Sequence, residues 1–221
     1  MKRLFLLMSV ALTLILTGCA AKKPAYDYTA FKESKPKSIL VLPPVNHSPD
    51  VNASHSMLSV STLPLAEDGY YVFPVAVVEE TFKQNGMTSA EDIRSVSAAK
   101  LREIFGADAA MYIDVTSYGS TYMVLNSETR VTANAKLVDL RTGKVLWTGS
   151  ATASDNDQNN NSNNSILGML ITAAVKQISS TVTDKGHDIA AMTSWTLFNT
   201  NPTDGMLYGP RSPNYGKQAM R

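Results

Sequence analysis

Ala109-Ala110-Met111-Tyr112-Ile113-Asp114-Val115-Thr116 decides the fold, because here the apolar residues begin to repeat every second position. Met111, Ile113 and Val115 alternate with Tyr112, Asp114 and Thr116, the pattern of a strand with one buried face. Tyr118-Gly119-Ser120 then reads as a turn. A second strand is expected from about Tyr122 to Leu140, with Val131, Ala133, Ala135 and Leu137 inward and Thr132, Asn134 and Lys136 outward. Arg141-Thr142-Gly143-Lys144 has the chemistry of a hairpin turn in which Gly143 takes positive φ. Val145-Leu146-Trp147 starts the returning strand, so the C-terminal half holds an antiparallel β-meander.

Working back towards the N-terminus, Ser38-Ile39-Leu40-Val41-Leu42 is a short continuous apolar run closed by Pro43-Pro44. Such a run suits a strand buried on both faces, hence a sheet with helices over it. Between this strand and the meander the period is helical. A helix from about His55 to Ala66 stops near Gly69. Tyr70 to Phe73 forms a short strand, and Val75 to Gln84 forms a helix opened by Pro74. Thr88 and Glu91 have the spacing of a capping box. A further helix from Ala98 to Phe105 turns Leu101, Ile104 and Phe105 inward and ends at Gly106. The expected fold class is therefore α/β: a mixed sheet with a C-terminal-half antiparallel meander, flanked by helices.

Beyond the meander, residues 155–165 are rich in asparagine and read as a loop. Ile166 to about Val182 reads as a helix, with Leu167, Leu170 and Ile171 among its apolar residues. Nine of the thirteen residues from Ile166 to Ile178 are apolar, many for a helix with one wet face, which makes it a candidate interface. Tyr70, Tyr71 and Tyr122 are further candidates. A last helix, Asp188 to Leu197, precedes an irregular tail over 201–221.

The N-terminus has its own logic. Lys2 and Arg3 precede an apolar run from Leu4 to Leu16, well short of the ~20 residues of a spanning helix. Leu16-Thr17-Gly18-Cys19 then resembles a bacterial lipobox, and Cys19 is the chain's one cysteine. Residues 1–18 are read as a lipoprotein signal peptide, cut between Gly18 and Cys19. Cys19 receives a diacylglycerol and an N-acyl chain, and 19–36 form a lipidated tether. Residues 37–200 make a single α/β domain. Ala20 in place of Asp after the cysteine suits the outer membrane of a Gram-negative envelope, without fixing which side the domain faces.

Removing Lys2 and Arg3 leaves 18 basic residues against 19 acidic. That balance argues against a nucleic-acid partner. No nucleophile elbow, zinc-protease helix, phosphate loop or Cys-x-x-Cys is present. His47, Asp50 and His55 could converge on a metal, but lack the paired spacing of zinc sites. His187 and Asp188, near Asp184, are read as helix-start residues and not as a catalytic dyad, since no candidate nucleophile is expected nearby. The expectation is a non-enzymatic protein with no cofactor and no metal.

Several runs also resemble, in order, a family of Gram-negative outer-membrane lipoproteins of unknown function. They are Ser38 to Asp50, Pro64 to Ala76, Lys100 to Ala109 and Leu137 to Lys144, and they accompany the lipobox. The resemblance implies a fold related to curli-secretion-type lipoproteins and to the N-terminal domain of the Tol-Pal propeller protein. It also implies an outer-membrane-lipid-anchored binding or assembly subunit of a secretion or transport complex, partnered by a curli-channel-like lipoprotein or by self-association. The alternative is a monomeric periplasmic module that binds a small ligand or cell-wall component.

Overall fold

The computed structural model describes residues 26–122, 127–155, 185–201 and 203–217. In chain order the elements are α1 (Thr29–Ser34), β1 (Ser38–Val41), β2 (Val45–Asn46), α2 (Ala53–Glu67), β3 (Tyr71–Val72) and α3 (Val75–Gln84). Then come α4 (Ala90–Arg94), α5 (Ala98–Phe105), β4 (Ala109–Tyr122), β5 (Ser127–Asp139), β6 (Val145–Ser154) and α6 (Lys185–Leu197). The strands form one mixed six-stranded sheet in the order β3-β1-β4-β5-β6, with β2 also on β4. β1 runs parallel to β3 and β4, whereas β4, β5 and β6 are antiparallel neighbours.

β1 is buried on both faces, as its unbroken apolar run requires. Ile39 and Val41 join the core beneath α2 and α6, while Leu40 joins the core beneath α3, α4 and α5. The first core takes the whole inward set of the meander, including Met111, Ile113, Val131, Ala133 and Leu137. The second is smaller, built from Val78, Phe82, Ile93, Leu101 and Leu140. Helices therefore cover one face along the sheet and the other face at one end only. The outward residues Asn134, Lys136, Ser150 and Thr152 remain exposed.

The turn after β2 forms as its side chains dictate. Asn46 Oδ1 accepts from the Ser48 N–H at 2.8 Å and from the Ser48 hydroxyl at 2.7 Å, and Asn46 Nδ2 donates to the Asp50 carbonyl at 2.7 Å. Gly143 takes φ 72° in the hairpin turn.

Five expectations change. Tyr118-Gly119-Ser120 does not turn: β4 continues through it, with a bulge after Val115 and Gly119 at φ 106° inside the ladder. Gly119 takes the positive φ there, buried Tyr118 keeps the strand on the core, and the ladder with β5 runs on to Tyr122 opposite Ser127. The cap of α4 is Ser89, whose side chain accepts from the Asp92 N–H, one residue after the expected Thr88. Ile104 faces outward at 39% exposure, because a helix as short as α5 buries a narrow stripe centred on Leu101.

The segment read as tether is folded from Tyr26 onwards. Phe31 in α1 is 4% exposed, and Tyr26 and Tyr28 pack on the same core. The tail is irregular but docked: Met206 is fully buried, and Gly209 and Arg211 donate backbone N–H groups to the carbonyls of Asp68 and Gly69. The signal peptide with Gly18 and Cys19, the Asn-rich loop and the helix from Ile166 lie outside the described residues.

Candidate functional site

An open groove of about 750 Å³ lies beside the sheet. It runs from the outward face of β4 and β5, at Asp114, Asn134 and Lys136, past Gly149 and Ser150 to the segment at Asn201–Gly205. β6 borders it as the last strand of the sheet. Thr148 pairs with Lys136 across the ladder, and its N–H donates to the Tyr26 hydroxyl at 2.8 Å, so its backbone groups face away from β5. The two-residue repeat turns the backbone groups of Ser150 and Thr152 the same way. Neither has a backbone partner on that side among the described residues.

At its sheet-face end the groove carries a charge cluster. Arg94 makes a two-pronged pair with the Asp114 carboxylate, one arm at 2.7 Å, and His47 Nε2 lies 3.3 Å from the same carboxylate. Partial burial pushes the Asp114 carboxyl up, but bonding to Arg94 and His47 outweighs it and holds the group below the ordinary range. Arg94 and Lys136 both stand over the Tyr112 ring, at 5.8 and 5.4 Å. At the other end the Trp147 ring lies over Gly149, and its indole N–H donates to the Asp204 carbonyl at 2.9 Å.

The structure separates the proposed metal residues. His47 turns to Asp114, His55 lies 3.8 Å from Glu79, and Asp50 accepts from the Asn52 N–H. Tyr70 is buried at 3% exposure with its hydroxyl on the Leu207 carbonyl, which corrects its reading as a free surface. Tyr71 is 40% exposed on β3 beneath the Arg211 guanidinium. Tyr122 closes β4, roughly 40 Å of strand away from Tyr71. These tyrosines do not form one surface.

Sequence proximity also missed a contact. The Ser56 hydroxyl lies 2.8 Å from His187 Nδ1 and accepts from the Tyr118 hydroxyl at 2.9 Å. Ser56 is only 9% exposed and engaged on both sides, so this trio ties α2 to α6 under the sheet. Asp68 is the opposite case: one carboxylate oxygen has no hydrogen-bond partner among the described residues. Burial, with the neighbouring Glu67 charge, pushes its carboxyl up to about 8. A raised acid opposes folding increasingly as pH climbs from its unfolded value through its folded one. Asp68→Asn is therefore expected to raise the Tm by several degrees at pH 8 and to leave it nearly unchanged at pH 4, read by thermal denaturation.

A lipobox-type leader and an α/β sandwich folded from Tyr26 onwards define a lipid-anchored envelope lipoprotein. The profile of the GNA1162-like family ("Putative lipoprotein GNA1162-like") matches residues 26–211, and the chain belongs to that family. It is 51% identical over 207 residues to "Putative lipoprotein NMB1124/NMB1162" of Neisseria meningitidis serogroup B, covering 93% of this chain and 95% of that one. The crystal structure of lipoprotein GNA1162 from Neisseria meningitidis superposes with a TM-score of 0.53 at 57% identity, over 65% of this chain and 98% of that one. A weaker likeness, TM-score 0.41 at 14% identity, is to the PelC dodecamer from Paraburkholderia phytofirmans, over 80% and 95% of the two chains.

Proposed function

We propose that this protein, anchored through Cys19 in the outer membrane, works by binding, as a non-enzymatic subunit of a cell-envelope secretion or transport assembly. The carrying observation is β6. It is a ten-residue edge strand, Val145–Ser154, with no charge and no proline, and the groove lies beside it. Monomeric proteins blunt such edges with charges, prolines or short strands. Among the described residues the edge beyond Thr148 is unguarded, and such an edge is suited to receive an extended segment of another chain, with main-chain hydrogen bonds giving affinity and the groove selecting side chains. Ala20 beside Cys19 supports the outer-membrane placement.

The test is the native mass of the lipidated protein, gently solubilised from membranes. The wild type is expected in a complex larger than one chain, and Ser150→Pro in monomers with an unchanged Tm. Proline at Ser150 removes an outward N–H and no internal ladder bond, so it blocks strand addition while sparing the fold. A monomeric wild type, or a complex indifferent to Ser150→Pro, overturns the reading.

A further inference from the structure

A second concavity lies on a different part of the molecule, between α1 and the C-terminal segment. It is a cleft of about 280 Å³ walled by Phe31, Pro36, Tyr70, Leu207, Tyr208 and Tyr215, with Lys32 and Lys35 at its margin. The walls are almost wholly carbon. The Tyr70 hydroxyl is already spent on the Leu207 carbonyl, so its ring offers only an apolar face. Lys32 and Lys35 are exposed, and neither forms an ion pair among the described residues.

Lys35 adds a separate signal. It caps α1 in the left-handed conformation, φ 47° and ψ 56°, where glycine or asparagine is ordinarily found. Among the described residues no other non-glycine has positive φ. A lysine held in a conformation unfavourable to its own backbone points to a use for its side chain at that place. The first described residue, Tyr26, follows Cys19 by seven positions, a span of at most about 25 Å, so a lipid on Cys19 lies within reach of the cleft.

We propose that this cleft binds one acyl chain carrying an anionic head group, its methylenes between Tyr70, Leu207 and Tyr215 and its anion at Lys32 and Lys35. Apolar walls reward methylenes, each worth about fourfold in affinity when fully buried. The paired ammonium groups discriminate the head. A fatty acid and a single-chain anionic phospholipid share this chemistry, and the experiment separates them.

The test titrates the chain from Ala20, which keeps every described residue, with dodecanoate, lysophosphatidylglycerol and dodecyl maltoside below their micellar concentrations. Saturable binding of one anionic amphiphile per chain is expected, with the uncharged maltoside about tenfold weaker or worse. The tighter of the two anionic probes identifies the source. Lys35→Gly relaxes the backbone, so the Tm rises by a few degrees while affinity falls about tenfold. Lys32→Gln lowers affinity similarly without raising the Tm. Absence of saturable binding by both anionic probes, equal binding of the maltoside, or full affinity in both lysine variants overturns the proposal. None of these outcomes bears on the complex tested through Ser150→Pro.

Discussion

Trp147→Ala is expected to lower the Tm by roughly 10 °C. Trp147 is 1% exposed, lies over Gly149 and approaches Phe198 with ring centroids 6.4 Å apart. Truncating a buried aromatic costs about 3–5 kcal/mol, and each kcal/mol moves the Tm of a domain this size by about 2–4 °C. The indole N–H also secures the Asp204 carbonyl, so the C-terminal segment loosens with the core. Trp147→Phe keeps most of the apolar contact and loses that bond, and is expected to cost about 1–2 kcal/mol. Thermal denaturation of the pair checks both; a shift below about 3 °C for the alanine variant contradicts the packing argument.

Asp139→Asn is expected to cost about 2–3 kcal/mol at pH 7, with the difference from wild type shrinking as the solution is acidified. The Asp139 carboxylate is 1% exposed and accepts from the Arg141 and Thr142 N–H groups at 2.7 and 2.9 Å, from the Arg141 guanidinium at 3.1 Å, and from the Ser34 hydroxyl. Burial alone would raise its pKa, but these bonds outweigh burial and hold it at about 2. A depressed acid stabilises the fold fully above its unfolded pKa near 4, and the contribution disappears as pH falls through about 2. Urea unfolding of both proteins between pH 7 and pH 2 checks the convergence. A difference independent of pH would mean that shape, and not charge, matters at Asp139.

Much of the fold was legible because its signals are local. The buried run at Ile39–Val41, the alternation through Met111, Ile113 and Val115, and the glycine of the Lys144 hairpin each declare their structure within a few residues. Gly119 misled because a glycine beside serine and tyrosine fits a turn as well as a position inside a long strand. Only the pairing of Tyr118 with Val131 and of Gly119 with Arg130 decides between them. Tyr70 and Phe31 could not be placed because their burial depends on residues near the other end of the chain. The groove escaped notice for the same reason. Arg94, Asp114, Lys136 and Asp204 belong to separate segments, and the contact of Ser56 with His187 spans 131 positions.

The clasp between the two ends of the domain has a kinetic consequence. The Tyr28 hydroxyl donates to the Gly205 carbonyl across 177 positions, and Phe31 shares its core with Met206. Contacts between such distant positions slow folding, because a long loop must close before they form. A chain of this design cannot complete its core while its last residues are still being synthesised. The last step of folding is therefore post-translational: the core closes only once the segment at Gly205 and Met206 is free to dock against Tyr28 and Phe31.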